Sequence, residues 1–136
     1  MLVPLISSDT VGGLDNFPAC VEAEHRLGMV AFAGAAAGDV AVYETGDSMA
    51  PVITSGSMLL LRRVENWREY LGYGQTFCLV LTDGRRVTKV VNRHDSDPEN
   101  YVVCHSYNAA YADEALPRSL IMSVFKVVAV QTVVGW

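Results

Sequence analysis

The sequence predicts a mostly β domain built of short antiparallel strands with one short helix. Three observations carry that expectation. Hydrophobic residues make up 51% of the 136 and charged residues 18%, a balance that supports a packed core rather than a disordered chain. From residue 39 onward short β-rich runs recur, separated by turn-forming residues. The longest apolar stretches are residues 29–37, broken by Gly34, and residues 127–130. Both fall far short of the roughly 20 residues that a membrane-spanning helix needs.

The elements divide the chain into an N-terminal arm, residues 1–39, and a single domain, residues 40–136. The arm holds an apolar opening (residues 2–6), a turn-rich stretch (7–18) and a small-residue segment (31–38). Residues 20–29 carry mixed charge and are compatible with a short helix. In the domain, residues 40–44, 58–64, 76–82, 86–93, 101–106 and 120–134 read as strands. Thr54-Ser55-Gly56 and Asp95-Ser96-Asp97-Pro98 mark turns. Asp83-Gly84 between two β-rich runs marks a hairpin. One helical turn or two is expected from Asn66, which can cap, to Gly72, which ends it. Glu69 sits three residues after the cap, and Trp67, Tyr70 and Leu71 share a face.

Charge and cysteine usage narrow the function. A net charge of −5 opposes a direct grip on a phosphate backbone, so no nucleic-acid contact is expected of this chain. Pro4, Ser7, Ser8 and Asp9 interrupt any signal-peptide pattern, which together with the thiols points to the cytoplasm and away from the membrane. Cys20, Cys78 and Cys104 are odd in number and contain no CxxC pair, so neither a disulfide framework nor a zinc site is expected. His25, His94 and His105 add no ligand spacing, and no metal or other cofactor is implied. Cys104 and His105 are neighbours in an extended run and point to opposite faces, a poor arrangement for a nucleophile and its base.

Two segments carry candidate chemistry. Alternation along residues 86–93 places Val87, Lys89 and Val91 on one face, with Thr88 and Val90 on the other. An amine on an apolar face is desolvated, which lowers its pKa and makes it a competent general base. A lysine stem lying along the sheet with its head in water fits the same pattern. Lys126, the second of the two lysines, also lies among valines, and periodicity does not separate the two. The other segment is Thr45-Gly46-Asp47-Ser48-Met49-Ala50-Pro51, where a serine follows a strand on a turn that glycine and proline shape. That geometry exposes a hydroxyl and aims backbone N–H groups at a developing oxyanion, although an ordinary polar loop has the same composition.

The segment Gly46-Asp47-Ser48-Met49-Ala50-Pro51 with Gly56 resembles the nucleophile box of the LexA-like peptidase family, which includes the LexA and lambda-type repressors and the UmuD mutagenesis protein. Val87-Thr88-Lys89-Val90 is similar to the strand that carries the family's lysine. Ser106-Tyr107-Asn108-Ala109-Ala110-Tyr111 resembles its S-x-N-x-x-Y segment, and residues 124–134 resemble its last strand. The resemblance implies a LexA-like β-clip fold and a Ser/Lys dyad: Ser48 as nucleophile, Lys89 as base, and backbone N–H groups at Asp47 and Ser48 as the oxyanion hole. It also implies a single self-cleavage with the arm as substrate, at Gly12–Gly13, where Gly12 stands in place of the family's usual Ala. A homodimer is implied as well, in a repressor of the SOS-response type; residues 125–134 are long for a single strand, and their exposed apolar edge is the surface expected to pair with a second copy. In such a repressor, DNA would be reached only through a helix-turn-helix domain, and nothing in residues 1–39 resembles one. The alternatives of the same fold are a non-cleaving dimerisation or sensing module and a stand-alone UmuD-like protein. A signal-peptidase-like enzyme shares the serine box, but it normally needs a membrane anchor.

Overall fold

The computed structural model describes residues 1–6 and 26–132. Its nine strands are β1 (Leu2–Ile6), β2 (Arg26–Ala31), β3 (Val40–Tyr43), β4 (Met58–Arg63), β5 (Gln75–Leu81), β6 (Arg86–Arg93), β7 (Tyr101–His105), β8 (Glu114–Pro117) and β9 (Ile121–Gln131). They form one sheet in the order β2-β1-β3-β4-β9-β5-β6-β7-β8. All pairings are antiparallel except β1 with β3, which is parallel. The mostly β expectation therefore holds.

The apolar residues of these strands explain the packing. Leu59, Leu61, Cys78, Val80, Val90 and Phe125 pack with Met49 and Ile53 of the β3–β4 connection into one buried cluster. Phe77, Leu79, Val91, Val102, Cys104 and Val124 form a second with Trp67 and Leu71. The alternation read in residues 86–93 is met: Val90 belongs to the first cluster, whereas Val91 and the partly buried Val87 belong to the second. Val3 and Leu5 of β1 join Phe32, Ala41 and Leu60 in a third cluster. This part of residues 1–39 is thus built into the same sheet as β3 and β4.

The hairpin at Asp83-Gly84 forms as expected. Leu81 N–H donates to Arg85 O at 2.8 Å, and Gly84 takes φ 87°, which only glycine adopts without strain. The short helix is placed differently. Residues 65–69 form a turn, in which the Glu69 and Tyr70 amides both donate to Asn66 O at 3.0 Å. The chain then runs on to Gly72 at φ 77° without completing a helix. The one helical turn among the described residues is a 3₁₀ turn at Arg118–Leu120. Residues 26–29, which the mixed-charge reading allowed as helix, lie in β2.

The C-terminal run is paired unequally. Residues 121–126 of β9 pair with β5, and residues 125–131 pair with β4. From Val127 onward no described strand pairs with the β5 side, while Val127, Val128 and Ala129 stay half-exposed. The predicted cleavage pair Gly12 and Gly13, with Cys20 and His25, lies outside the described residues.

Candidate active site

Ser48 sits where β3 gives way to a turn. Gly46, at φ 81°, permits the reversal, and Met49, fully buried beside Val42, Leu59 and Phe125, anchors the segment from below. Ser48 is left half-exposed between this anchor and solvent. The amides of Ala50 and Ile53 close the turn onto Asp47 O and Met49 O at 3.1 and 2.9 Å. The Ala50–Pro51 peptide bond is cis.

Lys89 comes from the middle of β6 and is half-buried. Its Nζ donates to Ser106 Oγ at 2.7 Å, and Ser106, just after β7, is only 3% exposed. The same Nζ lies 5.5 Å from the centroid of the Tyr111 ring, within cation–π reach. Ser48 and Lys89 line one cavity of about 170 Å³ together with Glu44, Thr45, Arg86, Val87 and Thr88. Lys126, by contrast, is exposed on β9. Both lysines are register partners of Phe77, one on each side of β5.

The loop after β7 clamps the Ser48 turn. Asn108 N–H donates to Ser48 O at 3.0 Å, and its Nδ2 donates to Asp47 O at 3.0 Å. Tyr111 Oη donates to Asp47 Oδ1 at 2.5 Å. The hydrogen bond to Asp47, and then the carboxylate's charge, push the Tyr111 phenol above its usual range. Asn108 Oδ1 in turn accepts from Ala110 N–H at 3.0 Å, which fixes the loop's own shape. The three polar residues of the S-x-N-x-x-Y segment therefore divide the work, Ser106 holding the lysine and Asn108 and Tyr111 holding the serine turn.

The structure adds three polar residues that the pattern reading did not single out. Glu44 is buried and accepts from Thr88 Oγ1 at 3.0 Å. Burial pushes its carboxyl above the ordinary value, against the opposing hydrogen bond from Thr88 and the charges of Arg86 and Lys89. Arg86 Nη2 donates to Tyr43 O at 2.7 Å. Alternation put Thr88 beside Val90 on the face opposite Lys89, and the structure buries it there, where a hydroxyl needs a partner. Cys78 and Cys104 are buried thiols, which desolvation pushes up to about 12 and about 11. His105 pairs with Asp113 at 2.7 Å rather than with Cys104.

A half-exposed serine on a glycine turn and a half-buried lysine thus line one cavity on a mostly β sheet. The peptidase S24-like family model matches residues 19–130, most of the chain and all of this site. The chain belongs to that family. No curated protein matches it. Among the described residues no helix is long and apolar enough to cross a membrane.

Proposed function

We propose that this chain is a self-cleaving Ser/Lys peptidase domain serving as the regulatory and dimerising part of a transcriptional repressor. The observation that carries the reading is the shared cavity of Ser48 and Lys89, with Lys89 held by a buried hydroxyl. In the proposed reaction the neutral Lys89 amine takes the Ser48 hydroxyl proton as Oγ attacks the Gly12 carbonyl. Backbone N–H groups at Asp47 and Ser48 stabilise the oxyanion. The lysine then delivers that proton to the departing Gly13 amine, and water hydrolyses the ester left on Ser48.

The half-exposed apolar run at residues 127–129, with one edge of β9 unpaired among the described residues, supports a homodimer formed by pairing with a second copy. No direct nucleic-acid contact and no membrane association belong to this reading, and its place is the cytoplasm.

Intact-mass measurement of the chain incubated at alkaline pH tests it, with Ser48→Ala and Lys89→Ala alongside. Loss of residues 1–12 from the parent and from neither variant is the expected result. A parent that stays whole would replace peptidase activity with a non-cleaving dimerisation module of the same fold.

A further inference from the structure

β6 has an open edge beside Ser48. Its pairing with β5 runs from Arg86 to Val91, but β7 pairs with it only from Val90 to Arg93. Main-chain groups turn to alternate sides along an antiparallel strand, and two hydrogen bonds fix the phase here. Arg85 O accepts from Leu81 N–H and Val91 O accepts from Gly74 N–H, each at 2.8 Å and each from the β5 side. Residues 85, 87, 89 and 91 therefore turn their amides and carbonyls to β5, and Arg86, Thr88 and Val90 turn theirs the other way. Val90 meets His105 of β7 there. Among the described residues, no backbone group meets Arg86 or Thr88 on that side. Residues 86–89 also form a wall of the cavity that Ser48 lines, so these two open amide–carbonyl sets lie next to the serine.

Building on the Ser48/Lys89 reading above, we propose that the chain's own arm, residues 8–11, docks as an added strand on the Arg86–Thr88 edge of β6, so that the substrate is held by its main chain and Gly12 is carried to Ser48. An unpaired strand edge is a template for an extended segment, and main-chain hydrogen bonds supply the binding while asking little of the side chains. The occupant follows from where β1 stops. β1 runs parallel to β3, with Leu5 beside Ala41, and ends at Ile6. β3 ends at Tyr43, whose carbonyl accepts from Arg86 Nη2 at 2.7 Å. A chain continuing past Ile6 thus heads for the end of β3 where Arg86 and Ser48 lie. Gly12 comes six residues after Ile6, a reach of about 20 Å when extended. Residues 8–11 contain no proline, so each has an N–H to give to the edge.

The test is a proline scan. Proline lacks the N–H that a paired strand gives, and only alternate residues of an added strand turn theirs to β6. Ser8, Asp9, Thr10 and Val11 are replaced singly by proline and, in parallel, by alanine, and cleavage is followed by intact mass. The expected result has a period of two. Prolines at one alternate pair of positions slow cleavage about tenfold, while the other pair and all four alanines stay near the parent rate. Equal rates in the four proline variants, or an alanine as slow as the proline at the same position, overturn the proposal. A first-order rate that does not change on dilution supports the chain's own arm as occupant, and a rate that rises with concentration overturns that choice in favour of a second copy's arm. Amide exchange in a Ser48→Ala background separates docking from cleavage. There the Thr88 N–H is expected to lose about tenfold in protection in the same two proline variants, with the Val90 N–H unchanged. That pattern in a chain that never cleaves supports the docking and removes the peptidase reading. A Thr88 amide that exchanges alike in all the variants overturns the docking.

Discussion

Lys89 Nζ and Ser106 Oγ meet at 2.7 Å, joining the middle of β6 to the residue just after β7. β6 and β7 pair only from Val90 to Arg93, so this bond braces the lysine where the ladder between the two strands has stopped. Displacing a positioned group by about 1 Å can cost about 10²-fold in rate. Ser106→Ala is expected to slow self-cleavage about 10- to 100-fold, while Ser106→Thr retains most of the rate. Single-turnover cleavage followed by intact mass measures it, and an unchanged rate in the alanine variant would remove Ser106 from the site.

Tyr111 and Asn108 hold Asp47 from across the cavity. Tyr111→Phe deletes one hydrogen bond on an exposed pair and should cost stability little, within about 1 kcal/mol. Its effect on cleavage is expected to be larger, because a small displacement of a positioned nucleophile is costly. Melting curves and cleavage rates on the same preparation separate the two. A stability loss with no rate change would make the clamp purely structural.

Met49 is fully buried under the serine turn. Met49→Ala leaves a cavity between Val42, Leu59 and Phe125 and is expected to cost about 2–5 kcal/mol. Met49→Leu conserves volume and should cost less than about 1.5 kcal/mol. Denaturant unfolding gives both numbers. Near-equal stability of the two variants would mean that the turn is anchored elsewhere.

Asp39 and Glu44 give opposite responses to acid. Burial pushes the Asp39 carboxyl up, but the Arg62 hydrogen bonds at 2.8 and 2.9 Å, the Ala36 amide and the Arg62 charge outweigh it and bring it below the ordinary carboxylate range. That stabilisation is present above the unfolded value and is lost as pH falls through the folded one. Glu44 is raised chiefly by burial, so the folded state pays for its ionisation above the folded value and recovers as pH falls toward the unfolded one. Asp39→Asn is therefore expected to destabilise the chain at pH 7 and much less near pH 2. Glu44→Gln is expected to gain on the parent as pH rises from 4 to 7. Unfolding at the two ends of each window checks both signs, and a Glu44→Gln difference that does not change with pH would contradict this account of its burial.

Much of the sheet was legible because alternation and turn residues are local signals. Residues 86–93 formed a strand with those bounds, and Asp83-Gly84 made the hairpin. The helix expected from Asn66 failed for a physical reason: its cap and its Glu69 serve a single hydrogen-bonded turn equally well, and the buried Trp67 and Leu71 pack against the sheet without further turns. β8 (Glu114–Pro117) was not read as a strand, since four residues with one proline carry no period and form an edge only because β7 templates them. Ser48 and Lys89 were assigned as a dyad only through family resemblance, and periodicity alone left Lys89 and Lys126 equivalent. What separates them is burial across β5, a tertiary property. Glu44 escaped notice because its environment is assembled from β3, β6 and the Ser48 turn together.

Covalent labelling tests whether Lys89 activates Ser48, with no need for the arm to be cut. The parent chain, Lys89→Ala and Ser48→Ala are each treated with a small fluorophosphonate at alkaline pH, and the adducts are mapped by peptide mass. One adduct, on Ser48, is expected in the parent and none in either variant. A parent that stays unlabelled, or equal labelling of Ser48 in Lys89→Ala, would contradict it.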